Sequence, residues 1–156
     1  MYLLDTNHCS RLLDGNEAIA SKLRKHGNRG IATCVIVRGE LAFMAEKSDQ
    51  REYNRVRVHN FLQTIQIYEI DNETADMYGQ IKAAILDRFG PREKAKRRQA
   101  RTDKLGVSEN DLWIAAIAQR FELTVVSADG DFERISAAAP LRLETWWYPE
   151  QNLHSA

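Results

Sequence analysis

MYLLDTNHCSRLL, residues 1–13, is the stretch whose reading decides the fold. Tyr2, Leu3 and Leu4 make a short apolar run suited to a buried strand, and Asp5, Thr6 and Asn7 then supply capping oxygens. Beyond them Cys9, Leu12 and Leu13 fall on one helical face. The chain opens strand, acid, helix, the repeating unit of a parallel α/β sheet.

The same alternation continues outward. Residues 17–25 carry Ile19 and Leu23 at helical spacing, Gly27 and Gly30 end that helix, and 31–33 read as a second strand. Residues 35–47 place Val37, Leu41 and Met44 along one stripe, which predicts a core-facing helix, and 51–62 predict another. TIQIYEI, 64–70, alternates as a strand does. A longer helix begins near Asn72, buries Tyr78, Ile81, Ile85 and Phe89, and stops at Gly90 and Pro91. Residues 108–120 form a helix offering Leu112, Ala115, Ile117 and Ala118; the strand 123–127, a turn at Ala128, Asp129 and Gly130, a short helix and a last strand at 141–143 follow. The expectation is one domain over residues 1–156, a three-layer α/β/α sandwich around a mainly parallel sheet of about five strands.

Composition narrows the function classes. No apolar run approaches the roughly 20 residues that span a bilayer, and Asp5 interrupts any leader-like N-terminus, so a cytoplasmic protein is expected. Cys9 and Cys34 lack a CxxC partner or a nearby His pair, which excludes zinc and redox motifs and leaves them as small core residues. His8, His26, His59 and His154 are scattered without a partner pattern, and none is assigned to catalysis. A formal net charge of +0 argues against a uniformly basic nucleic-acid coat. Charge is nevertheless segregated: PREKAKRRQARTDK, 91–104, holds seven Lys or Arg against two acids. With almost no apolar face, this run reads as an exposed basic arm or mobile loop over about 90–106.

The acids carry the chemistry. In an open parallel sheet, ligands bind beyond the C-terminal ends of the strands, where Asp5 and Asp129 both emerge. Glu40 lies three residues after Val37 and four before Met44, on the apolar stripe of its helix. Asp111 precedes Ile114, Ala115 and Ala118 at the same kind of spacing. Taken singly, Asp5 is a helix cap, Asp111 the acid of a capping box begun by Ser108, and Asp129 a turn residue. Glu40 has no capping role, and its alternative is a position at the rim. Together, four acids from four segments meet at one edge. Burying carboxylates is costly and crowding them raises their pKa, and a divalent cation removes both objections. Oxygen-only ligands favour magnesium or manganese, and such an ion suits phosphodiester hydrolysis. Arg97, Arg98 and Arg101 in the basic run are candidate phosphate contacts, although a solvated basic face explains them as well.

LLDTN at the start, GELA around Glu40, ENDLWIAAIA with Asp111 and TVVSADGDF with Asp129, in this order, resemble the PIN domain, in particular the VapC-type toxins of bacterial toxin–antitoxin pairs. The resemblance covers nearly the whole chain. It implies an endoribonuclease acting on structured RNA, tRNA above all, with magnesium at Asp5, Glu40, Asp111 and Asp129, and manganese able to substitute. It makes Asp5 and Asp111 the foremost ligands and Asn7 and Ser127 supporting polar residues; Asp131 ranks below Asp129. It also implies a homodimer and a small antitoxin protein that blocks the site. Ser127 stands where the family usually has Thr, which keeps a hydroxyl. The basic run is longer than the family's minimal connection. Trp146, Trp147 and Tyr148 are suited either to docking a partner or to covering the sheet edge.

Two other classes remain. A receiver-like signalling module also binds magnesium at strand ends, but it resembles a cluster with two adjacent acids after the first strand and a Lys after the last. A non-catalytic PIN-like domain would bind RNA or protein without cutting, against which the presence of all four acids argues.

Overall fold

The computed structural model describes residues 1–27 and 30–149. At its centre is β1 (Tyr2–Leu4), flanked on one side by β2 (Ile31–Cys34) and β3 (Gln66–Tyr68) and on the other by β4 (Thr124–Val126) and β5 (Leu143–Glu144). All four pairings are parallel, with Tyr2 opposite Ile31 and Thr124. The order 3-2-1-4-5 reverses direction between β1 and β4, and such a switch point opens a crevice beyond the strand ends. Leu3, Leu4, Val125 and Val126 are wholly buried there, each side chain contributing about 1.5–3 kcal/mol of burial.

Helices cover both faces. α1 (Thr6–Leu13) packs on α2 (Glu17–His26), α3 (Val35–Glu46) and α4 (Arg51–Leu62); α5 (Asn72–Phe89) packs on α6 (Lys94–Gln99), α7 (Glu109–Arg120) and α8 (Gly130–Ala138). The groups meet where α3 touches α7. In α7 every residue from Ile114 to Ala118 is buried, with alanines at 115, 116 and 118 permitting close approach of neighbours. Both cysteines are free and buried; burial pushes the Cys34 thiol up to about 11 and raises Cys9 further, so neither is a ready nucleophile.

The strands are shorter than the sequence predicts at β3 and β4, and the last one is Leu143–Glu144 rather than 141–143. The basic run departs most from expectation. It forms α6 and a 3₁₀ turn at Thr102–Leu105 instead of an arm or mobile loop. Polar anchors order it in place of an apolar face. Thr102 is buried and donates to Glu109 at 3.2 Å, and Glu109 is itself held by Lys82 at 2.6 Å and by the Tyr78 hydroxyl. Gly90 is required at the entry, because a Cβ there would meet the Leu86 carbonyl oxygen at 2.3 Å.

Candidate active site

Asp5 is the first residue beyond β1, and its N–H still pairs with the Val126 carbonyl at 3.1 Å. Its carboxylate caps α1, accepting the His8 N–H at 2.8 Å through Oδ1. The same oxygen lies 2.9 Å from His8 Nδ1, while Oδ2 accepts the Ser127 hydroxyl. Ser127 is buried just past β4, and its Oγ accepts the Asp129 N–H at 3.0 Å. One hydroxyl thus bridges the acids of β1 and β4. Asp129 is the N-cap of α8, so the segment read as a turn is a helix start, with Oδ1 accepting the Asp131 N–H at 2.9 Å.

Glu40 and Asp111 arrive on helices. Glu40 is half-buried on α3, and Asp111 stands in the first turn of α7, whose N-cap Ser108 accepts the Asp111 N–H at 3.2 Å. Asp5, Glu40, Asp111 and Asp129 line one pocket of about 430 Å³, shared with Thr6, Asn7, Phe43, Lys47 and Asn110. The four acids singled out in the sequence are therefore together. Asn7 is exposed on the pocket wall, and Ser127 lies behind it.

The electrostatics are those of crowded carboxylates. Burial pushes the Asp111 carboxyl up to about 8, aided by its hydrogen bond to Asp131 and the charges of Asp129 and Asp131. Burial also raises Glu40, with the charges of Asp5 and Asp129 adding to it. Asp129 is raised by desolvation and by Asp131. Asp111, Asp129 and Asp131 each present a carboxylate oxygen within 4.8 Å of the others. Asp131 therefore belongs to the cluster, although its Oδ2 is engaged by the Ser108 N–H at 2.9 Å. The buried Thr6 Oγ1 lies beside the Glu40 carboxylate in the same pocket without a well-formed hydrogen bond. An oxygen-only donor set and mutually repelling acids fit a hard divalent cation, which Asp5, Glu40, Asp111 and Asp129 could hold.

Other sequence candidates lie elsewhere. None of Arg97, Arg98 and Arg101 lines this pocket. Arg97 pairs with Asp87 at 3.3 Å and with the Arg92 carbonyl at 3.1 Å; Arg101 pairs with Asp103 at 2.8 Å; Arg98 is exposed beside Lys94 and Leu86. Trp146 is buried, packed against Tyr2 of the central strand and stacked on His26, and Trp147 packs edge-on against His8 beneath Arg11, while Tyr148 is exposed. His59 stands in the last turn of α4, and His154 lies outside the described residues. Sequence reasoning missed His8, which contacts Asp5 directly, and missed Phe43 and Lys47. The last two share the Glu40 face at three and seven residues, a signal present in the helical spacing. A second cleft of about 230 Å³, lined by Leu13, Leu41, Met44, Val58 and Arg57, gathers no cluster of acids.

A parallel sheet of this order with acids at its switch point defines a class of protein, and the PIN domain profile matches residues 2–138. The chain belongs to the PIN domain family. It is 30% identical over 147 residues to ribonuclease VapC2 of Haemophilus influenzae, covering 93% of this chain and 97% of that one. Among solved structures it is similar to the DNA-bound VapBC complex of Salmonella typhimurium, with a TM-score of 0.76, 26% identity and coverage of 94% and 98%. It also shares its fold with a toxin–antitoxin complex of Klebsiella pneumoniae, with a TM-score of 0.64, 20% identity and coverage of 96% and 100%.

Proposed function

We propose that this chain is a divalent-cation-dependent endoribonuclease, the toxin of a toxin–antitoxin pair, that cleaves structured RNA, tRNA foremost. One observation carries the reading: four carboxylates from separate segments line a single pocket, and three of them are raised from their ordinary values, Asp111 to about 8. The ribonuclease relative, which is matched along nearly its full length, supports the reaction class.

Asp5 and Asp111 are assigned to hold magnesium, with manganese able to replace it, and Asn7 and Ser127 to support the site. When bound, such an ion polarises a phosphoryl oxygen and lowers the pKa of water. Asp129 completes the acidic wall. Glu40, half-buried and raised from its ordinary value by burial, accepts the proton of the attacking water. Lys47 is the one cation lining the pocket among the described residues, and it contacts the substrate phosphate. Its Nζ lies 5.2 Å from the centre of the Phe43 ring, which is 63% exposed and offers a stacking surface to an unpaired base. Arg98, exposed away from the pocket, extends the phosphate track, together with Arg97 and Arg101 where their local pairs yield.

A small antitoxin protein, a homodimer and a cytoplasmic setting complete the proposal; for the antitoxin, the similarity to a solved VapBC complex is the support. Among the described residues no helix is long and apolar enough to cross a membrane. The test is cleavage by purified Asp5→Asn and Asp111→Asn variants. Activity should fall by about a hundred- to a thousand-fold with the fold retained, EDTA should stop the wild type and manganese should restore it. Undiminished cleavage by the folded double variant sinks the proposal.

A further inference from the structure

His8 is fully buried, and both of its ring nitrogens have partners. Nδ1 lies 2.9 Å from Asp5 Oδ1, and Nε2 lies 3.3 Å from the backbone nitrogen of Trp146. A backbone N–H only donates, so Nε2 accepts and carries no proton. The imidazole proton then sits on Nδ1, aimed at the carboxylate. The residue that fixes this tautomer follows β5, 138 positions further along the chain.

Asp5 can be inventoried in the same way. Oδ1 accepts two bonds, from the His8 backbone N–H and from Nδ1–H, and Oδ2 accepts one from the Ser127 hydroxyl. Ser127 already receives the Asp129 N–H, so its own hydrogen is directed to Asp5. A carboxylate offers about four lone-pair positions. Three are filled, all by neutral donors, and the fourth is on Oδ2.

We propose that His8, held as the Nδ1–H tautomer by the Trp146 backbone, is a positioning residue that locks the Asp5 carboxylate and leaves one lone pair, on Oδ2, as a single-point ligand for a divalent cation. The inference rests on the reading of the acidic pocket as a cation site. Its physical content is twofold. Two donors on Oδ1 from one residue fix the carboxylate plane, and because both are uncharged they leave the full negative charge available to the ion, which a Lys or Arg in the same place would oppose. The Nε2 contact makes the setting depend on how the segment after β5 packs beneath Trp147.

Two measurements test it. In metal-free protein labelled with ¹⁵N-histidine, long-range ¹H–¹⁵N correlation should show His8 with a protonated Nδ1 and an unprotonated Nε2, assigned by loss of the signals in His8→Asn. A protonated Nε2 in the folded wild type overturns the proposal without any variant. Calorimetric titration with Mn²⁺ alone then compares wild type, His8→Leu, His8→Asn and Asp5→Asn. His8→Leu should bind about ten-fold or more weakly, in the range for loss of a partner behind a metal ligand. His8→Asn, whose amide nitrogen stands in for Nδ1, should recover most of the loss. A folded His8→Leu protein that binds as tightly as the wild type overturns the positioning role, and if that variant does not fold, the wild-type spectrum decides. Unchanged binding by Asp5→Asn overturns the cation-site reading itself, which separates the two failures.

Discussion

Replacing Asp111 by Asn in the metal-free protein removes a carboxyl that the fold pushes from an ordinary 3.8 to about 8. The sign follows from proton counting. Between these values the native state keeps a proton on Asp111 that the unfolded chain has released, so the contribution of this group to native stability is fully present below about pH 4 and is lost as pH rises through about 8. Glu40 and Asp129 are shifted the same way and steepen the decline. At about 1.4 kcal/mol per pH unit, the roughly three units between pH 5 and pH 8 set an upper bound of about 4 kcal/mol. Water at the exposed Asp129 screens the cluster, which brings the expected loss to the order of 2 kcal/mol, roughly 4–8 °C in Tm for a chain of this size. Urea unfolding in EDTA at about pH 5 and about pH 8 reads it directly. Wild type should weaken across this window, Asp111→Asn should weaken much less, and excess magnesium should restore the wild type at the upper pH. Parallel pH curves for the two proteins, or no response of the wild type to magnesium, would refute the account of a strained acidic cluster relieved by a cation.

Three further outcomes are expected. Lys47→Ala should weaken RNA binding and lower its salt dependence by about one counterion, with Mn²⁺ affinity unchanged in calorimetry; an unaltered salt slope removes Lys47 from the substrate path. Ser127→Ala takes the hydroxyl from between Asp5 and the Asp129 N–H, and should cost about 1–3 kcal/mol in denaturant titrations while also weakening Mn²⁺ binding. Ser127→Thr should rescue both losses, and equal stability of the alanine variant would contradict the bridge. Trp146→Ala empties a site packed against Tyr2 and His26 and should lose about 3–5 kcal/mol; a loss below 1 kcal/mol, on the order of a surface change, would mean that the segment after β5 is not part of the core.

Much of this arrangement is legible in the residues because several of them obey two rules at once. Asp5 and Asp129 are helix caps, and Asp111 sits one turn into a capped helix, as local sequence logic says. They are also members of the pocket, since a helix that starts at the end of a parallel strand starts where the crevice opens. The two readings that compete in the sequence are both satisfied in the fold. Glu40 is legible for the opposite reason: nothing local explains an acid on an apolar stripe. His8 was not legible. Its spacing from Asp5 is visible, but the contact that defines its role comes from Trp146, and no local pattern reports a partner so distant in sequence. The order of the basic run is invisible to helical periodicity, which registers an apolar face, because Thr102 with Glu109 and Arg97 with Asp87 hold it through polar anchors.

The placement of β4 between β1 and β5 has a bearing on folding. Asp5 is seated by a strand far from it in sequence, the Ser127 hydroxyl reaching its carboxylate across 122 positions. Until β4 docks, β1 has a bare edge and Asp5 lacks both the Val126 carbonyl that its N–H meets and the Ser127 hydroxyl on its carboxylate. A chain in which that pairing has not formed is therefore unable to assemble the pocket, so the acidic crevice arises together with the native sheet and not before it.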